Sequence, residues 1–154
     1  MSPELKILII SLIPFLDKIA VPYGIELNLS APTIFLFSLT GNVILTAGIL
    51  YLLGPISNFL RKKSTKMDDF FEKLFNKTRK EHTKKFDRYG ALMLILFVAS
   101  PLPGSGSIAG SVIAFVFGIN YFKALALISL GSAGGILLMI AGFTSIFAIF
   151  DLFI

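Results

Sequence analysis

Residues Ala99–Ser107 read "ASPLPGSGS", with "RYGALMLILFV" before them and "IAGSVIAFVFGI" after. They sit in the middle of 34 consecutive uncharged residues, Tyr89 to Phe122. Pro101 and Pro103 remove two backbone donors and disfavour helix in the residues before them. Gly104 and Gly106 reach backbone angles that other residues resist. Lipid offers no partner to a freed backbone group, so irregular chain at membrane depth must be buried in protein or line a wet cavity. The stretch therefore predicts a re-entrant hairpin that enters and leaves on the same face. Its tip would present the unpaired amides of a fresh helix and the hydroxyls of Ser105 and Ser107, a setting that suits an anion such as a lipid phosphate. Glycines used only for close packing, or prolines that merely kink a continuous helix, are the plainer readings. A nucleotide phosphate loop is excluded, because no G-K-[ST] follows.

The rest of the chain places that hairpin in a membrane. Of its 154 residues 55% are hydrophobic, and Leu27–Leu60 and Ala124–Phe150 are further uncharged runs of 34 and 27 residues. A crossing takes about 20 apolar residues in a helix. The predicted fold class is an all-α integral membrane protein. With no cysteine and one histidine, His82, thiolate chemistry and the usual zinc sites are excluded. No metal, no cofactor and no enzymatic reaction are expected. The net charge of +5 could suggest nucleic acid, but eleven of the fourteen Lys and Arg residues lie between Arg61 and Arg88. Such clustering marks a cytoplasmic loop, in a prokaryotic-type inner membrane.

Five segments follow. Residues 1–32 form a first broken apolar segment, too short before Asp17 to span; Glu4 beside Lys6 and the lack of an A-x-A-like site argue against a cleaved signal. Residues 33–60 read as a transmembrane helix, opened by Ser30-Ala31-Pro32 and ending near Gly54-Pro55. Residues 61–88 carry Arg61, Lys62 and Lys63, then Phe70, Phe71 and Phe75 on a helical stripe. They predict a basic amphipathic helix on the inner membrane surface, or a solvated linker helix. Residues 89–119 are the second broken segment, and 120–154 the second transmembrane helix. Its "GSAGG" at Gly131–Gly135 is read as close helix packing. Each half is thus a Pro/Gly-broken segment plus a crossing helix, and one crossing per half makes the halves inverted. Residue-level similarity between them is poor. Paired broken segments at matching places point to a transporter's binding site.

The first broken segment, "PFLDKIAVPYGIE", holds Asp17 and Lys18 between Pro14 and Pro22. Ionisable groups inside a membrane domain are functional candidates. Desolvation favours a neutral Asp and a neighbouring ammonium favours a charged one, so Asp17 can take and release a proton. The other reading puts both residues at the interface, snorkelling at the end of a short helix.

At this point the chain resembles the small multidrug export protein family. Tyr89, Gly90, Pro101, Leu102, Pro103, Gly104 and Gly106 match its K-Y-G and A-x-P-L-P-G-T-G elements, with Ser105 for threonine and Ser107-Ile108 where Ala-Trp is common. Pro14, Asp17, Ala20, Pro22, Gly24 and Ile25 match its first-half pattern more loosely, and Gly41-Asn42 resembles its G-N. The family is similar to the DedA (SNARE-associated, VTT-domain) proteins. That resemblance implies two facing re-entrant hairpins, and movement of lipids or lipid phosphates, in some members with proton coupling.

The expected function is a small transporter, exporter or lipid flippase of an amphipathic or anionic lipid-like substrate, with membrane lipids and protons as partners and a homodimer as a plausible assembly. Its pathway would run past Asp17, Lys18, Pro14 and Pro22 on one side and Pro101, Pro103, Gly104, Ser105, Gly106 and Ser107 on the other. The alternatives are a passive scramblase, or a scaffold acting through residues 61–88.

Overall fold

A computed structural model of the chain describes residues 2–14, 16–63, 89–100 and 106–153, without side chains at 56–63 and 146–153. The described elements are all helices: α1 (Pro3–Leu12), α2 (Ala20–Glu26), α3 (Ala31–Lys63), α4 (Ala91–Ala99), α5 (Ser107–Val116) and α6 (Tyr121–Phe153). The predicted loop 61–88 lies outside the described residues from 64 onward, and so do Phe70, Phe71 and Phe75.

Two helices carry stretches apolar and long enough to cross a membrane, Ala31–Pro55 and Tyr121–Ser145, of 25 residues each. At 1.5 Å per residue each stretch is about 37 Å long, against a hydrocarbon core of about 30 Å. The other four helices have seven to ten residues. None exceeds about 15 Å, so none can cross alone. α3 starts where Ser30-Ala31-Pro32 predicts, but it does not stop at Gly54-Pro55. Pro55 lies inside the helix, which continues to Lys63. The proline removes one rung of the hydrogen-bond ladder, and the rungs on either side carry the helix past it.

The short helices pair into hairpins. A Cβ on Gly24 of α2 would lie 2.8 Å from Ile7 Cδ1 of α1, and one on Gly110 of α5 would lie 2.7 Å from Val98 Cγ2 of α4. α1 ends at Leu12 and α2 begins at Ala20; α4 ends at Ala99 and α5 begins at Ser107. Each hairpin then leads into a long helix through the same turn. Among the described residues, the left-handed ones are Asn28 (φ 55°) and Gly118 (φ 68°), 90 residues apart. Around Asn28, its own amide donates to the Ile25 carbonyl at 2.9 Å and that of Leu29 to Gly24 at 3.1 Å. Around Gly118, its own amide donates to Phe115 at 3.0 Å and that of Ile119 to Ala114 at 2.9 Å. This is the Schellman closure of a helix C-terminus, which needs a left-handed residue after the cap. Ser30 and Asn120, again 90 apart, stand at the start of the long helices, and the Asn120 side chain accepts the Phe122 amide at 3.1 Å.

The same separation runs on into α3 and α6. Ile34, Ser38, Asn42 and Thr46 are buried on α3, and Ala124, Ile128, Ser132 and Ile136 on α6. The four-residue spacing makes each set one helix face. Gly41 and Gly131 occupy matching points: a Cβ on Gly41 would lie 3.0 Å from the Leu8 carbonyl oxygen, and one on Gly131 2.8 Å from that of Ile95. Each long helix is thereby drawn against the first helix of its own hairpin. Lipid is as apolar as leucine, so close approach through small residues holds such helices together.

α3 and α6 run antiparallel. The start of α3 packs with the later part of α6, since Ile34 and Ile136 share a core cluster edged by Met139 and Ile140. The start of α6 meets the later part of α3: Leu50 packs on the cluster holding Ala124 and Ile128, and Tyr121 Oη donates to the Ala47 carbonyl at 3.3 Å. Where the helices cross, Ser132 Oγ donates to Asn42 Oδ1 at 3.4 Å.

Candidate functional site

Both breaks arrive at one place. Asp17, only 6% exposed, and Lys18 come from the first; Ser100 and Gly106 come from the second. All four line a small, water-sized cavity of about 20 Å³, together with Asn42 of α3 and Ser132 of α6. Val21, Val98, Ile136 and Met139 complete it as an apolar wall. Asp17 is enclosed by protein rather than extended toward solvent.

Asp17 and Lys18, adjacent in sequence, address opposite ends of the second break. The Lys18 ammonium donates to the carbonyl oxygen of Ser100, the C-cap of α4. The Asp17 carboxylate lies against Gly106, the N-cap of α5, where a Cβ would come within 2.8 Å of Oδ2. A helix end carries about half a unit charge, negative at the C-terminus and positive at the N-terminus. Each side chain therefore meets the end it complements, and Gly106 is the residue whose bare α-carbon admits the carboxylate.

The second hairpin is also tied to α3. Ser107 Oγ donates to Asn42 Oδ1, and Ser111 Oγ donates to the Ser107 carbonyl at 2.6 Å. The Asn42 carbonyl oxygen thus receives two hydroxyls, from Ser107 and from Ser132.

Of the residues nominated from the sequence, Asp17, Lys18 and Gly106 meet at the cavity. Ser107 is buried next to it, but its hydroxyl is committed to Asn42 rather than offered to an anion. Pro14 is exposed and Pro22 half-buried within α2, and neither lines the cavity. Pro101, Pro103, Gly104 and Ser105 lie outside the described residues. Arg61, Lys62 and Lys63 end α3. Asn42, Ser100 and Ser132 were not nominated. Gly131–Gly135 do pack closely, Gly135 to within 2.9 Å of the Ala99 carbonyl oxygen for a Cβ, yet Ser132 and Gly135 also line the cavity.

Residues 17–138 match the family described as "Putative small multi-drug export protein". The chain belongs to that family. The match begins at Asp17 and takes in both halves of the cavity. No curated protein and no solved structure matches the chain. With two helices long and apolar enough to cross a bilayer, this member of the export family is a membrane protein.

Proposed function

We propose that the chain is a small membrane exporter, not an enzyme, whose substrate station is the cavity between two re-entrant hairpins. The observation that carries this is the convergence of both helix breaks on an enclosed carboxylate, Asp17. The halves lie inverted in the membrane, with residues 61–88 on the cytoplasmic face, as their basic cluster favours. Charged and broken-helix elements cost energy at membrane depth and mark substrate or ion pathways. Asp17 carries a proton during the cycle, and exchange of that proton drives substrate movement. The substrate is amphipathic and is admitted as the hairpins move apart and the cavity widens: Val21, Val98, Ile136 and Met139 then take its apolar part, and Lys18 and Asn42 its anionic or carbonyl group. The resemblance to DedA proteins supports a lipid-like molecule.

The test is transport by the purified chain in proteoliposomes under an imposed pH gradient, using a fluorescent amphipathic anion and a labelled anionic lipid as probes. Asp17→Asn keeps the size and removes the titratable group. It is expected to fold, to bind, and to lose pH-driven transport by at least about tenfold. Unchanged transport with unchanged pH dependence in that variant would overturn the proton-carrying role.

A further inference from the structure

From Asp17 onward the two halves repeat each other at a separation of 90 residues, but they do not make equivalent contacts at the centre. Asn42 and Ser132 correspond, and both stand at the crossing of α3 and α6. Ser107, at the start of α5, corresponds to Asp17. Ser107 closes directly on Asn42 through its hydroxyl. The corresponding pair, Asp17 and Ser132, instead stands on the wall of the cavity. One position is shut by a hydrogen bond, and its counterpart faces a water-sized cavity.

We propose that the chain has a second substrate station, between Ser107 and Asn42, which opens when the station between Asp17 and Ser132 closes. This rests on the transport reading above. Two features carry it. The backbones that would have to exchange roles are already alike, with the same Schellman turns, the same buried helix positions and the same glycine contacts. Packed interfaces switch between discrete arrangements rather than deforming smoothly, so equivalent halves give the exchanged arrangement a comparable energy.

The chemistry of the exchange is also complementary. Ser132 Oγ now reaches Asn42 Oδ1 across 3.4 Å, longer than an ordinary hydroxyl hydrogen bond. In the exchanged state that hydroxyl donates to the Asp17 carboxylate, and Asn42 gives up Ser107. Because α3 and α6 run antiparallel, the second station opens to the opposite membrane face. It offers an amide and a hydroxyl but no ammonium, since Ile108 stands 90 residues after Lys18. A substrate whose anionic group Lys18 holds at the first station is therefore held less tightly there, and the second station is the one that releases it.

The absence of native cysteine makes the test direct. Val21 lines the present cavity, and Ser111, 90 residues on, is fully buried. Full-length Val21→Cys and Ser111→Cys variants, reconstituted in liposomes of known orientation, are treated from each side with a membrane-impermeant thiosulfonate. The expected result is labelling of Val21→Cys from one face and of Ser111→Cys from the other. Where Ser111→Cys does not fold, Ser107→Cys takes its place. Labelling of the second position from the same face as the first, or none at all, overturns the second station. Opposite-face labelling without any transport would leave the exchange standing and remove the transport reading. Transport without labelling at the second position would do the reverse.

Discussion

The Asp17 carboxylate rests on the bare α-carbon of Gly106, close enough that a Cβ there would lie 2.8 Å from Oδ2 and 3.3 Å from Oδ1. A side chain at residue 106 must displace the acid. The obstructed atoms are the far end of a side chain, not backbone, so the fold can accept the change while the site cannot. Gly106→Ala is expected to express and to melt within a few degrees of the parent by circular dichroism. Its transport should fall about tenfold or more. Equal transport in Gly106→Ala and parent would show that the place of the carboxylate is unimportant.

Gly41 and Gly131 face obstacles of the other kind. A Cβ on Gly41 would lie 2.5 Å from Ser11 Cβ and 3.0 Å from the Leu8 carbonyl oxygen; one on Gly131 would lie 2.8 Å from the Ile95 carbonyl oxygen and 2.9 Å from Val98 Cβ. Nothing flexible can yield, so Gly41→Ala and Gly131→Ala should each destabilise by about 1–3 kcal/mol, the usual cost of overpacking. Gly48, with nothing within 4 Å of its Cβ position, is the control. Gly48→Ala should be neutral or stabilise by up to about 1 kcal/mol, from helix propensity. Thermal unfolding in one detergent ranks the three.

Much of this arrangement is legible in the sequence, and what is hidden is hidden for physical reasons. Broken backbone in an apolar run has few allowed fates, so "ASPLPGSGS" and "PFLDKIAVPYGIE" point to paired hairpins, and Asp17, Lys18 and Gly106 are indeed brought together. Asn42 and Ser132 escape because small and polar residues in a membrane helix have a sufficient explanation in helix packing. The 90-residue repeat escapes because lipid accepts any apolar side chain, which lets the outer faces of α3 and α6 diverge freely. Only the inner positions keep register, and they keep it by class: Asn28 with Gly118 for a left-handed turn, Ser30 with Asn120 for a helix start, Gly41 with Gly131 for close approach. Ser107 is a plainer case. Its hydroxyl could not be assigned to Asn42 before the fold placed α5 beside α3.

The two turns make a paired prediction. Asn28 and Gly118 hold the same left-handed angle, which glycine adopts without penalty and asparagine more readily than most residues. Gly118→Ala and Asn28→Ala should each lose about 1 kcal/mol, and Asn28→Gly should lose little or nothing. Chemical unfolding of the three variants checks this, and equal losses for Asn28→Gly and Asn28→Ala would mean that the angle is not what matters.

Lys18 separates support of the fold from contact with substrate. Its ammonium donates to the Ser100 carbonyl at the C-terminus of α4, so Lys18→Met leaves that helix end without its charged donor. The residue is only partly buried, and water reaching the cavity can replace some of the interaction. A loss of about 1.5 kcal/mol is expected, the lower end for a hydrogen bond to a charged group. Lys18→Arg keeps a donor on a longer stem and should recover most of that stability. If Lys18 also contacts an anionic substrate, transport by Lys18→Met should fall further than its stability, with the apparent KM raised, and Lys18→Arg should recover only part of it. Equal recovery of stability and transport in Lys18→Arg would confine Lys18 to capping α4.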